Sequence, residues 1–176
     1  HIAYPEYKKG IVVANADGSE PKQILENGDL IGELEWSPDG TRIAHDNYDD
    51  SKHYALYLLN RDGTEHTLLT KDHSVNEKSP SWSSDSQWLT FHSWKGEDPK
   101  DIYIMRSDGS ERQRLTYQGG YSPSWSPDGT QIAFTSYMDG LSGIYLIGRE
   151  GAHLCRLTSL IGSVDSLPVW SPDGNY

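Results

Sequence analysis

An all-β propeller of four-stranded antiparallel blades is the fold this sequence predicts, and two observations predict it. Trp36, Trp82, Trp125 and Trp170 each open the same short phrase, and they stand 46, 43 and 45 residues apart. Self-similarity at about 40–50 residues marks an array of supersecondary units. Around each tryptophan the same short strand-like segments recur in fixed order, and turn residues interrupt every helical period.

Each repeat reads as strands A to D. Strand A ends at the tryptophan. Ser-Pro-Asp-Gly follows at 37–40, 126–129 and 171–174, and Ser-Ser-Asp-Ser at 83–86. Proline presets φ, aspartate bonds nearby backbone and glycine takes the left-handed position, so the phrase is a tight turn. Without Pro and Gly, the turn at 83–86 is expected to be looser. Strand B is Ile-Ala-His (43–45), Leu-Thr-Phe (89–91) and Ile-Ala-Phe (132–134). Strand C is Leu56-Tyr57-Leu58, Ile102-Tyr103-Ile104 and Ile144-Tyr145-Leu146, with the β-branched and aromatic alternation of a half-buried strand. Asp62-Gly63, Asp108-Gly109 and Glu150-Gly151 turn the chain into strand D, which ends in Leu-Thr at 69–70, 115–116 and 157–158.

Four such strands stacked radially make a propeller. A solenoid is the competing reading, but its coils are usually shorter. The blades fall at about 31–70, 77–116 and 120–158, with a fourth split between 166–176 and 1–25. The C-terminus carries strand A and its turn. The N-terminus opens on strand B, Ile2-Ala3-Tyr4. Matching these two edges closes four blades within one chain or eight blades in a homodimer, and the dimer is favoured; a fragment of a larger propeller is the third reading. Unmatched edges invite aggregation.

A net charge of −11, from 15 Lys and Arg against 26 Asp and Glu, argues against nucleic acid or an anionic membrane as partner. Cys155 is the single cysteine and reads as structural rather than reactive. Each Trp, if buried, contributes up to about 4–6 kcal/mol, which makes the four repeat tryptophans core.

The combination Trp-Ser-Pro-Asp-Gly, Ile-Ala-Phe, Ile-Tyr, Asp-Gly and Leu-Thr resembles the TolB-like propeller repeat, a relative of the WD repeat, over essentially the whole chain. That resemblance implies six to eight blades in a closed ring and a periplasmic or extracellular setting. It is specific for fold. Similar blades serve translocation proteins, peptidases and sensors.

Short, repetitive A–B and C–D turns define a structural face. The long, varied B–C and D–A loops define the face where binding is expected. Three residues past the strand-B aromatic position stand Tyr7, Tyr48, Trp94 and Tyr137, read either as packing between blades or as an aromatic rim able to stack on a peptide or sugar. Acidic residues gather nearby: Asp46, Asp49 and Asp50 around Tyr48, and Glu97, Asp98 and Asp101 after Trp94. Glu33 and Glu35 on strand A have serines as counterparts in the later repeats; they read either as solvated acidic surface, the favoured reading, or as carboxylates placed near the axis. The best metal candidates are His45, Asp46 and His92, whose imidazole and carboxylate donors suit Zn or Mn.

No nucleophile elbow, zincin motif, phosphate loop or cysteine pair is present. The reading is therefore a non-catalytic scaffold for protein or peptide, without cofactor, self-assembling through its terminal strands. The alternatives are a metal-dependent or carbohydrate-active enzyme on the loop face, and an assembly unit, natural or engineered, with no ligand.

Overall fold

A computed structural model describes residues 1–6, 9–26, 31–48, 52–158 and 167–176. They form four antiparallel sheets and no helix. The first has three strands, β1 (Ile2–Glu6), β2 (Gly10–Ala14) and β3 (Lys22–Glu26). The second has β4 (Leu34–Trp36), β5 (Arg42–Tyr48), β6 (Tyr54–Asn60) and β7 (Thr67–Leu68). The third has β8 (Asn76–Trp82), β9 (Trp88–Trp94), β10 (Asp101–Arg106) and β11 (Gln113–Arg114). The fourth has β12 (Tyr121–Trp125), β13 (Gln131–Ser136), β14 (Gly143–Gly148) and β15 (Cys155–Arg156). Strands pair in sequence order, as a propeller blade requires.

Alternation along each strand sends successive residues to opposite sheet faces, so each sheet feeds two cores. Ile43 and Leu59 pack with Ile11 and Val13 between the first two sheets. From the same strands, Ala44 and Leu56 pack with Trp82, Leu89 and Phe91 between the second and third. Trp125, Ile132 and Phe134 join Trp88, Ile102 and Ile104 between the third and fourth. Trp82 and Trp125 are thus buried inter-sheet residues, as their repetition predicts, while Trp36 and Trp170, which border the incomplete first sheet and the end of the chain, are only partly buried. Cys155 departs from the structural reading, because it lies on the short outer strand β15 with its side chain exposed.

The turns explain the repeated phrase. Ser37 Oγ donates to Asp39 Oδ1 at 2.6 Å and accepts from Arg42 N at 2.9 Å, while Gly40 N closes on Ser37 O at 2.8 Å. Ser126 and Ser171 repeat this arrangement. So does Ser83, with Asp85 at 2.6 Å and Trp88 N at 2.9 Å. The expectation of a looser turn at 83–86 is therefore wrong. The bonds run through the first Ser and the Asp, both retained, and Ser86 takes a left-handed φ of 59° in place of glycine. Its hydroxyl accepts from Asp39 N at 3.1 Å, a link between adjacent blades that glycine lacks.

Two sets of bonds confirm the two faces. Arg61 N, Ser107 N and Arg149 N each donate to the A–B turn of their own sheet, at Thr41 O, Gln87 O and Thr130 O, so A–B and C–D turns share one end. Gly120 N donates to Lys100 O at 2.6 Å, joining a D–A loop to a B–C loop at the other end. The repeated Leu-Thr also has a local role. Thr70, Thr116 and Thr158 accept through Oγ1 from Leu56 N, Ile102 N and Ile144 N, satisfying a backbone donor at the start of strand C.

Among the described residues β1 pairs with β2 alone, and residues 167–176 are not part of its sheet. They lie against the fourth sheet instead. Leu167 N donates to Thr135 Oγ1 at 3.2 Å and Trp170 Nε1 to Ser124 O at 3.1 Å.

Candidate functional site

The residues nominated as metal ligands are not brought together. His45 and Asp46 are consecutive on β5 and so point to opposite faces of the sheet. Asp46 and His92 occupy equivalent strand-B positions, and both serve the next blade. Ser79 N donates to Asp46 Oδ1 at 3.4 Å, Ser122 N to His92 Nδ1 at 3.4 Å, and Leu167 N to Thr135 Oγ1 at 3.2 Å. The three donors all sit at left-handed φ, between 50° and 56°; Ser79 and Ser122 are on the inner strands β8 and β12, and Leu167 precedes the fourth repeat tryptophan. Asp, His and Thr, chemically unlike, thus share one role as acceptors for a strained backbone N–H. Burial, with Lys100 and Lys78 nearby, pushes the His92 imidazole down to about 3, which keeps Nδ1 a free acceptor. Burial raises the Asp46 carboxyl, and Lys78 Nζ stands 3.7 Å from its Oδ2.

His45 faces the first sheet and meets His66 instead, Nε2 to Nε2 at 3.1 Å, with both rings stacked on Tyr57. Burial, and then His66, lowers His45 to about 4. Among the described residues no three His, Cys, Asp or Glu side chains are arranged to hold a metal ion.

The aromatic positions fare differently. Tyr7, Asp49 and Asp50 lie outside the described residues. Tyr48, Trp94 and Tyr137 all stand at the B–C/D–A end, where Tyr48 is 37% and Tyr137 55% exposed. None stands alone. Tyr48 stacks on Tyr54 at 4.2 Å, Trp94 on His92 at 5.5 Å and Tyr137 on Tyr121 at 6.0 Å. Lysines cap these rings: Lys78 Nζ lies 4.0 Å over Tyr54, and Lys100 Nζ lies over Trp94 at 4.9 Å and Tyr121 at 5.7 Å. Each cation over a ring face contributes about 0.5–2 kcal/mol. The hydrogen bond with Tyr48 lifts the Tyr54 phenol to about 12; burial, then Tyr137, does the same for Tyr121.

Between these groups lies a cleft of about 520 Å³ lined by Pro99, Lys100, Gln118, Gly119, Gly120, Tyr121 and Tyr137. Its floor is backbone already engaged, since Ser136 Oγ donates to Gly119 O at 3.0 Å and Gly119 N to Asp101 Oδ1 at 3.2 Å. Gly120 admits no side chain, because a Cβ there meets Ile102 at 2.8 Å and Phe134 at 2.9 Å. Of the acidic cluster after Trp94, Asp101 does not enter the cleft as free charge, because it is buried and bonded to Arg114, Thr116 and Gly119, whereas Glu97 and Asp98 are exposed. Sequence reasoning missed Lys100 and Tyr121. Neither repeats at a fixed offset from the tryptophans, and Lys100 stands in a loop of variable length.

Two further cavities bear on the design. The inner strands line a cavity of about 290 Å³ together with Glu33, Glu35, Ser79, Ser81, Ser122 and Ser124, and Glu33 is exposed, as a solvated acidic surface requires. Glu35 is partly buried there, and Oε2 accepts from Trp82 N at 3.0 Å. Another cavity, about 680 Å³, lies at the turn end between the first and second sheets, against Asp39–Thr41 and Asn60–Asp62.

A family model described as the TolB beta propeller domain matches residues 1–176. The chain belongs to the TolB β-propeller family. A Tol-Pal system protein TolB of Bordetella pertussis is 32% identical over 147 residues, covering 79% of this chain and 32% of that protein. The crystal structure of TolB from Acinetobacter baumannii superposes with a TM-score of 0.80 at 28% identity, over 93% of this chain and 41% of that one. An oligogalacturonate lyase in complex with manganese, at 18% identity, TM-score 0.72, and 93% and 48% coverage, shares the fold alone. The chain spans 60% of the length of one curated relative and 23–32% of others.

Proposed function

We propose that this TolB-family chain is a non-catalytic scaffold that binds a protein or peptide segment on its B–C/D–A face. The observation that carries the reading is the 520 Å³ cleft, with apolar tyrosine and proline walls and one ammonium group, Lys100, that enters no ion pair among the described residues. Such a cleft suits an apolar side chain beside an acidic group. The Tyr121 and Tyr137 rings are 6.0 Å apart and nearly parallel, which leaves too little room for a sugar ring between them, since two ring thicknesses need about 7 Å. The name of the Bordetella relative, a protein of the Tol-Pal system, supports a protein partner.

Peptides selected from a random phage library against the protein test this. The expected result is enrichment of acidic residues flanking an apolar one, with binding weakened at least tenfold by Tyr137→Ala and by Lys100→Ala and unchanged by Glu150→Ala on the turn face. Selected peptides that bind all three variants equally place recognition elsewhere.

We also propose that two copies join by strand pairing, residues 167–176 of one copy completing the sheet of β1 in the other. The 680 Å³ cavity supports this. Each turn glycine faces the preceding turn: a Cβ built on Gly129 would stand 3.3 Å from Ser84 Oγ and one on Gly174 3.8 Å from Pro127, whereas one on Gly40 would meet nothing within 4 Å among the described residues. The turn at 171–174 has the shape to supply that neighbour, and Val169 is 85% exposed. Light scattering should give about twice the 19.8 kDa of the chain. A single-chain mass throughout a dilution series rules the pairing out.

A further inference from the structure

The second sheet carries two replacements that meet. Opposite the strand-C tyrosine, β9 and β13 place Phe91 and Phe134, which are wholly buried; β5 places His45 there, equally buried. Two residues before the strand-D partner of that tyrosine, the third and fourth sheets have Arg112 and Leu154, and the second has His66. A buried imidazole in a phenylalanine position sacrifices apolar contact and must satisfy its nitrogens. Here one nitrogen meets another imidazole at 3.1 Å, and Nδ1 of His45 has no hydrogen-bond partner among the described residues.

We propose that His45 and His66 form a two-imidazole site for a first-row divalent cation of the Zn²⁺, Ni²⁺ and Cu²⁺ group, clipping the start of strand D onto β5 across β6. The geometry carries it. With metal–nitrogen bonds of about 2.0–2.1 Å, nitrogens 3.1 Å apart subtend about 100° at the metal, inside the range of tetrahedral and cis-octahedral sites. The rings are within 10° of parallel and approach through their Nε2 edges with centroids 5.3 Å apart, so a turn of about 40° by each ring brings both lone pairs onto one point. His66 is solvent-exposed, which leaves the outer side of the site open to water ligands. With no third protein donor among the described residues, the site binds more weakly than a four-ligand structural zinc site. Imidazole donors favour Cu²⁺ over Ni²⁺ and Zn²⁺.

Calorimetric titration with ZnCl₂, NiCl₂ and CuCl₂ tests the site, in a His1→Ala background so that chelation by the terminal amine and imidazole does not contribute. One saturable site is expected, together with a Zn²⁺-dependent rise in thermal midpoint. His66→Ala, at an exposed position, and His45→Phe, which installs the residue of the other two sheets, should each weaken binding at least tenfold and abolish the thermal shift. Absence of saturable binding up to about 1 mM metal, or binding that survives in either variant, overturns the proposal and leaves the pair as an imidazole–imidazole hydrogen bond.

Discussion

Replacing Gly63 by alanine is expected to destabilise the protein by about 2–5 kcal/mol, whereas the same change at Gly18 costs about 1–2 kcal/mol. Both glycines close Asp-Gly turns with the same bond, to Asn60 O and Asn15 O at 2.9 Å, and both have φ beyond +80°. The left-handed strain of an L residue is therefore common to the two. The difference is a neighbour. A Cβ at Gly18 has nothing within 4 Å, but at Gly63 it lies 2.0 Å from the Ile24 carbonyl oxygen on β3. That oxygen is main chain and cannot swing aside, so the two sheets must separate. Gly109, whose Cβ would stand 3.0 Å from Leu69 O, should fall between them. Urea midpoints of the three alanine variants measure the series. Equal losses at all three positions would falsify this account of how the first two sheets nest.

Glu35→Gln is expected to stabilise the protein above pH 7 by up to roughly 3 kcal/mol and to change little below pH 4.5. Burial lifts the Glu35 carboxyl from 4.5 to about 7, outweighing the hydrogen bonds from Trp82 N and Ser81 that favour its charged form. Between those pH values the folded chain holds a proton that the unfolded chain has released. Stability attributable to this group therefore falls as pH rises through the window, and the whole penalty is present above pH 7. Glutamine keeps an oxygen to accept from Trp82 N and removes the charge. Asp46 and Glu77 are also raised by burial, so wild type and variant share their contribution, and the difference between the two stability–pH curves isolates Glu35. Parallel curves would show that the carboxylate is well solvated in the folded protein.

The architecture is legible because it is written several times over. A pattern such as Trp, Ser-x-Asp-x, Ile-Ala-Phe, Ile-Tyr, Asp-Gly and Leu-Thr stands out when the chain repeats it, and each member proves to serve locally. The Ser and Asp hold the A–B turn, the Thr caps strand C, and the alternating apolar residues fill two cores. The chemistry is less legible. Asp46 and His92 suggest ligands by residue type, yet they do what Thr135 does, accepting an N–H from the next blade. His45 stands out in the sequence on the right element but with the wrong neighbours. Its contact is His66, twenty-one residues on, reached only because β6 lies between them.

Strand order, the two faces, the turn positions and the burial of Trp82 and Trp125 were thus determined by the sequence alone, since they depend on interactions within one repeat or on alternation along a strand. The cleft built from Lys100, Tyr121 and Tyr137, the inter-blade acceptors, the His45–His66 pair and the open position beside Gly40 were decided by tertiary structure. They join residues of adjacent blades, or of strands whose separation depends on loop length, and no periodicity in one chain encodes the distance between two such side chains.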